Sequence, residues 1–399
     1  MPPLYTMAHH FTDHGYATAA FGKMHFVPDT EPSCGRERHF GFGERVDYEE
    51  FWTYLRQERG YPPVPGIADN PEKIVHLEKW QHVLQSYGVA LPDETRPSRQ
   101  HVMPAGAMGT LCHEDHQEAL VLRAWEGFLS QERDAPFLAF VSFQSPHPPF
   151  VPPAQFLSHY EEDLPLPALP DTAMRHHPVW GPSMRSATDE QRMRYLRYYS
   201  AFVTYMDWCA GEALRLLEEA GQAHNTLVIY VSDHGDMGFQ HGLTGKSVFY
   251  EESVRVPLIM RFPDRTPVGW SHRGLVELID VFPTICDASG IALPSNLPGR
   301  SLWADLIHRS DEGKEAVLSE SYPMVRNRDV FGLRPHRMIL TDTWKLIQYG
   351  DVCVDLFSVL RDPGNHTNLS RDPEHEGVIK QLLSTLDAKL GPLPQSEWM

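Results

Sequence analysis

Apolar residues along the chain switch between two periods, and the switching predicts the order of elements. The opening "MPPLYTMAHHFTDHG" reads as a helix closed by Gly15, and "YATAAFG" after it reads as a short strand. "HEDHQEALVLRAWEGFLSQ" (His113 to Gln131) has helical apolar spacing and feeds "PFLAFVSF", a strand predicted to be buried on both faces. "SATDEQRMRYLRYYSAFVTYMDWCAGEALRLLEEAG" predicts a long helix with N-cap candidates at Ser186 and Thr188 and a stop at Gly221. It leads into "NTLVIYV" (Asn225 to Val231), a β-branched apolar run that predicts a second strand covered on both faces. This βαβ rhythm predicts an α/β fold.

After "LPGRSL" (Leu297 to Leu302) the rhythm changes to short strands, "RMILTD", "WKLIQYG" and "VDLFSV", closed by a helix from about Glu374 to Leu390. A chain of 399 residues exceeds the size at which single cores stop growing. The expected organisation is therefore a catalytic domain over 1–302 and a smaller antiparallel α+β domain over 303–399. The Pro-rich stretch 50–109 is too long for an ordinary connection and is expected to form a lid or binding loop.

A hydrophobic content of 41% supplies a real core, and the formal net charge of −18 excludes nucleic acid or an acidic membrane surface as the main partner. A small anionic substrate still fits, through a locally positive pocket. Cys34, Cys112, Cys209, Cys286 and Cys353 stand singly without a C-x-x-C pair, so reduced thiols are expected. No run approaches the length of a membrane span, and the first residues are too polar for a signal peptide, which gives a cytoplasmic expectation.

Ligand crevices of open α/β sheets lie beyond the carboxyl ends of strands, and three such ends carry polar groups. They are Lys23 and His25 in "FGKMHF", His147 in "SFQSPHPPF", and Asp233 and His234 in "VSDHGD", with Lys246 following on a Gly-rich loop. Lysines and imidazoles around a carboxylate describe an anion pocket beside a metal. Asp236 and His241 are placed to assist the site or to stand at surface loop positions, the latter being the expectation. With 22 histidines in the chain, the clusters His9, His10, His14 and His176, His177 carry no chemistry by themselves, and Trp80 and Tyr87 suit lid packing as well as a pocket wall.

Taken in order, "GYATAAFGKMHF", "FVSFQSPHPPF", "NTLVIYVSDHGDMGFQHG" with "GKSVFYEESVRVPLIMR", "LVELIDVFPTICDASGI" with "GRSL", and "DLFSVLRDPGNHTNL" resemble the successive signatures of type I sulfatases of the alkaline-phosphatase superfamily. The resemblance covers nearly the whole chain, and "GKMHF" is similar to arylsulfatase- and choline-sulfatase-like members. It implies a largely parallel mixed sheet sandwiched by helices, with the smaller antiparallel domain at the C-terminus. It also implies a sulfuric ester hydrolase acting on a small sulfate ester. In that family a formylglycine hydrate, made from Cys or Ser in C/S-x-P-x-R, attacks sulfur while one divalent cation clamps the sulfate. By position, the resemblance makes Asp233 and His234 metal ligands and sets Lys246 against the sulfate and leaving group. Lys23 and His25 would hold the formylglycine hydrate, and His147 would bind sulfate or protonate the leaving oxygen. Oxygen ligands favour Ca²⁺, the first expectation, and the imidazole admits Mn²⁺.

The family's strand bearing two metal-binding aspartates and its C/S-x-P-x-R motif both precede the "GK-x-H" block. Neither is found in the 399 residues, so an N-terminally truncated chain, inactive by itself, is expected. "CGRER" (Cys34 to Arg38) lacks the proline, and "TRPSR" (Thr95 to Arg99) begins with a residue that cannot yield an aldehyde. A phosphonate or phosphate monoester hydrolase on the same scaffold, and a non-catalytic remnant, are the alternatives.

Overall fold

The computed structural model describes residues 5–24, 40–46, 57, 113–148, 150–160, 164–168, 187–322 and 335–393. His25, the two decoy motifs, Trp80, Tyr87, His176, His177 and the 50–109 stretch apart from residue 57 lie outside the described residues. The chain forms two compact units, Met1–Leu166 with Ala187–Asn225, and Pro167–Ser186 with Thr226–Met399.

In the first unit, helix α1 (Met7–Asp13) stops where Gly15 turns left-handed, as the sequence predicts, and strand β1 (Ala17–Gly22) follows. β1 is the middle strand of a parallel sheet, flanked by β2 (Glu44–Val46) and β3 (Phe137–Ser142). Its alternation fills both faces: Ala20 packs with Ala8 of α1 and Phe42, and Phe21 meets Phe128 of α2 (Gln117–Leu129) at 5.6 Å between ring centroids. The long helix α3 (Asp189–Glu219) begins at Thr188, whose side chain accepts from Gln191 N–H in a capping box, and Gly221 terminates it with φ of 70°. The Trp125 indole of α2 donates to the Ala213 carbonyl of α3 at 3.0 Å and ties the two helices together.

In the second unit, β4 (Val228–Val231) pairs antiparallel with β5 (Leu258–Arg261). The predicted burial of both apolar runs is corrected here. Every residue of β3 is half-buried, while Tyr230 and Val231 of β4 are 44% and 42% exposed and Ile259 of β5 is 60% exposed. An apolar run records what a strand could bury, and burial also requires neighbours. Among the described residues β3 has only β1 beside it and β4 only β5.

The C-terminal strands form an antiparallel sheet in sequential order: β6 (Val317–Ser321), β7 (His336–Leu340), β8 (Trp344–Tyr349) and β9 (Cys353–Ser358). The last three are the predicted ones; β6 is an addition. Alternation assigns Ile339, Leu346 and Leu356 to one face, under Leu382 and Leu386 of α4 (Glu376–Leu390). Met338, Ile347, Tyr349 and Phe357 cluster with Met237, Leu243, Val248, Phe249 and Tyr250, from the loop that carries Lys246. Among the described residues no helix is long and apolar enough to cross a membrane.

Leu346 is fully buried against α4, so Leu346→Ala leaves a cavity in the sheet–helix core. The expected cost is about 2–5 kcal/mol of unfolding free energy, read by urea denaturation with an unchanged m-value.

Candidate active site

Lys23 and His147 sit just past the carboxyl ends of two hydrogen-bonded parallel strands, where the sequence places them. Gly22 of β1 pairs with Ser142 of β3, and the Lys23 N–H donates to the Ser142 carbonyl at 2.9 Å. Gly22 has φ of 93°, and a Cβ there would run into the Ser142 carbonyl oxygen, so only glycine lets β1 end this close to β3.

His147 is held from below by a group that the sequence reading passed over. Glu118 of α2 is fully buried, and its Oε1 accepts both the Ser145 N–H at 3.0 Å and the Ser145 hydroxyl at 2.6 Å. The His147 N–H then donates to the Gln144 carbonyl at 3.0 Å, which closes the turn. His147 Nδ1 lies 2.7 Å from the Pro148 carbonyl oxygen. A carbonyl can only accept, so Nδ1 carries the proton and Nε2 is the basic nitrogen of the neutral ring. Burial raises the Glu118 pKa, but the His116 imidazole and the two Ser145 donors outweigh it and hold the carboxyl below its ordinary value.

The second unit carries the other predicted group. Asp233 and His234 follow β4 directly; Asp233 Oδ1 accepts the His234 N–H at 3.0 Å, and the Ser232 hydroxyl donates to the His234 carbonyl at 2.8 Å. Gly235 closes the turn by donating to the Ser253 carbonyl at 2.8 Å, and a Cβ on it would strike the Glu252 carbonyl oxygen. His234 Nδ1 lies 2.8 Å from the Gly235 carbonyl, so it too carries its proton on Nδ1 and presents Nε2 as an acceptor. Lys246 Nζ sits 2.6 Å from that Nε2, and Asp233 Oδ2 lies 3.5 Å from it. Lys246, Asp233 and His234, assigned by sequence to one region, thus come together at His234 Nε2.

A carboxylate beside an imidazole whose other nitrogen is tied to a carbonyl has the donor chemistry of a divalent cation site. Asp233 and His234 are two donors, and among the described residues no group of three or more His, Cys, Asp or Glu could hold a metal ion. The fit is that of a partial ligand set.

Of two histidines that hold the Lys246 loop, sequence reasoning gave His241 a surface position and missed His336. His241, expected on the surface, is 8% exposed. Its ring stacks on Tyr250 at 4.4 Å and lies 4.9 Å from His366, and its Nε2–H donates to the Gly364 carbonyl at 3.0 Å. His336, at the start of β7, is buried and donates from Nε2 to the Ser247 carbonyl at 3.0 Å. Burial, then the nearby His366, push the His241 pKa from 6.5 down to about 4. The signal available for His241 was its place in a Gly-rich turn; His336 had none. Among the described residues Cys209, Cys286 and Cys353 are free thiols. Burial raises all three, Cys286 and Cys353 to about 11, so none is an activated nucleophile.

The family model described as Sulfatase matches residues 1–291, nearly three quarters of the chain, and one described as N-sulphoglucosamine sulphohydrolase, C-terminal, matches residues 239–390. The chain belongs to the sulfatase family. This sulfatase is similar to the multifunctional alkaline phosphatase superfamily protein PehA of Trinickia caryophylli, with 29% identity over 92% of this chain and 75% of that protein. An arylsulfatase of Clostridium perfringens is 27% identical over 96% of this chain and 78% of its own length. Among solved structures, the phosphonate monoester hydrolase SpPMH from Silicibacter pomeroyi superposes with a TM-score of 0.74 at 22% identity, covering 98% of this chain and 80% of that one. That likeness confirms the expected α/β fold with its alkaline-phosphatase-like architecture and antiparallel strands toward the C-terminus. Sulfatases are hydrolases that generally use a divalent metal and formylglycine.

Glu118→Leu strands two buried Ser145 donors, each costing about 1–3 kcal/mol when unpaired, whereas Glu118→Gln keeps an acceptor. Denaturation titrations are expected to rank wild type, Gln, then Leu. Because the Glu118 pKa is lowered in the fold, its contribution is present above the ordinary carboxylate range and is lost as pH falls through the lowered value.

His241 gives a second pH signature. Between pH 6.5 and about 4 the unfolded chain binds a proton at His241 that the folded chain does not, so stability falls with falling pH across that window, by about 1.4 kcal/mol per unit at most. His241→Phe keeps the ring and removes the titration, and its stability–pH curve is expected to be flatter in that window.

Proposed function

We propose that this sulfatase-family chain carries the substrate and metal groups of a sulfuric ester hydrolase acting on a small sulfate monoester. The observation that carries the reading is the contact of Lys246 with His234 Nε2 beside Asp233 at the end of β4. It sets a cation against a partial divalent-ion site, the two brought together from positions 12 residues apart. Asp233 and His234 would hold Ca²⁺, with Mn²⁺ the alternative; His234 would do so through the Nε2 lone pair that otherwise accepts from Lys246, so a bound cation would supply positive charge against the sulfate oxygens and leave the Lys246 ammonium to face them. Lys246 stabilises negative charge on those oxygens and on the leaving oxygen. His147, once protonated at Nε2, gives that proton to the ester oxygen as the S–O bond breaks, and Nδ1 remains tied to Pro148. Lys23 and His25 would hold the attacking group, a formylglycine hydrate in the family; the 399 residues contain no C/S-x-P-x-R motif from which to make one. We further propose that residues 1–302 hold the chemistry and that 303–399 support it.

A second reading, a phosphonate or phosphate monoester hydrolase on the same scaffold, is supported by the likeness to a relative described as multifunctional. Sulfate and phosphate esters share tetrahedral geometry and differ in charge, so the two anions separate the readings.

Calorimetry with inorganic sulfate and phosphate is the test. Sulfate binding is expected to weaken about tenfold in Lys246→Ala, the loss of one charge-assisted contact. Tighter binding of phosphate than sulfate would favour the second reading, and sulfate binding indifferent to Lys246 would leave a non-catalytic remnant. The 399-residue polypeptide alone is expected to give no aryl sulfate turnover above background. A polypeptide joining it to a formylglycine-bearing segment should turn over, with Lys246→Ala and His147→Ala each lowering kcat about 10²–10³-fold.

A further inference from the structure

The loop bearing Lys246 takes left-handed backbone at Gly238, Phe239, His241, Gly242, Gly245 and Ser247, with φ between 51° and 75°. Three of these are not glycine, so the shape is imposed from outside the loop. Lys246 lies between two left-handed residues, Gly245 and Ser247, and both neighbouring carbonyls are tethered. The Gly245 carbonyl accepts the Met237 N–H at 2.8 Å, and the Ser247 carbonyl accepts His336 Nε2–H at 3.0 Å. The tip of the loop is fixed separately, by His241 Nε2–H on the Gly364 carbonyl at 3.0 Å and by the stack of His241 on Tyr250.

His336 begins strand β7, and Gly364 lies in the "DPGNHTN" turn after β9. Both anchors are thus supplied by the C-terminal sheet region. His336 is packed between Phe249, at 4.8 Å, and Tyr349, at 6.0 Å. A buried imidazole donor held by two aromatic rings has little freedom to follow the loop, so the loop follows it.

We propose that His336 and His241 are positioning residues for Lys246: through the Ser247 and Gly364 carbonyls they set the loop so that the Lys246 ammonium reaches His234 Nε2. The inference rests on the reading of Lys246 and His234 as site residues. It assigns a task to the C-terminal antiparallel sheet, which is to hold one cation of the site in place.

The experiment reads the Lys246–His234 contact directly and needs neither turnover nor metal. Imidazole ¹⁵N spectra of the full chain are recorded above the imidazole titration range, with the His234 signal assigned by its loss in His234→Gln. Lys246→Ala defines the Nε2 shift of a His234 released from its donor. His336→Phe keeps the ring between Phe249 and Tyr349 but removes the donor, and His241→Phe keeps the stack on Tyr250 but removes the bond to Gly364. Both are expected to move the His234 Nε2 signal toward its Lys246→Ala position, and His336→Gln, which can still donate, is expected to restore it. Amide spectra report whether each variant is folded; should one phenylalanine variant not fold, the other decides. Folded variants that leave the His234 signal at its parental position, while Lys246→Ala moves it, overturn the positioning role. A His234 signal that does not respond to Lys246→Ala overturns the Lys246–His234 pair itself, and the proposal with it.

Discussion

The hydrophobic seam between the 237–250 loop and one face of the C-terminal sheet is the constraint on which the second unit depends. A loop with left-handed Phe239, His241 and Ser247 pays roughly 1–2 kcal/mol for each such residue. Burying a large apolar side chain contributes about 1.5–3 kcal/mol, and Met237, Leu243, Val248, Phe249 and Tyr250 are all buried with Met338, Ile347, Tyr349 and Phe357. Packing therefore exceeds strain, and the loop adopts a shape that its own backbone disfavours. The sheet can do this because period-two alternation gives it two apolar faces. One face takes α4 through Ile339, Leu346 and Leu356, and the other takes the loop.

The first unit solves a similar problem with less material. β1 and β3 end side by side because Gly22 has no Cβ to strike the Ser142 carbonyl. Beyond that point, Glu118 replaces a sheet neighbour by accepting the amide and hydroxyl of Ser145. In both units the side chain proposed for the site stands on irregular backbone, and a buried polar group from a regular element holds that backbone. A carboxylate serves on α2 and an imidazole on β7.

The strand ends were legible because glycine, polar residues and the end of an apolar run coincide there. Lys23, His147, Asp233 and His234 follow from that coincidence, and Lys246, on the loop beyond β4, from the ordered family signatures. The partners holding them were not legible. Glu118 stands in "HQEALVLRAWEGF" like any solvated helix glutamate, and its burial depends on Ser145, 27 residues on. His336 meets Ser247 across 89 residues, and His241 meets Gly364 across 123. Local pattern reports a residue's own polarity and spacing; it carries no record of a carbonyl supplied by a distant turn. The same limit explains the burial assigned to "NTLVIYV". Its composition is that of an interior strand, whereas exposure depends on what lies beside it.

The β4–β5 ribbon gives that exposure a consequence in solution behaviour. Tyr230 and Ile259 face each other in register, and both stand open to solvent. Among the described residues no other strand covers this pair, and an apolar ribbon left in that state offers a template to another extended chain. What opposes such pairing is the net charge of −18, which keeps like molecules apart over distances longer than the apolar contact itself. That repulsion is screened beyond about 10 Å at 0.1 M salt, while the ribbon's hydrophobicity is not. The colloidal state of the protein is thus a contest between a long-range force that salt removes and a short-range one that it leaves, with low ionic strength the condition that keeps the chains apart.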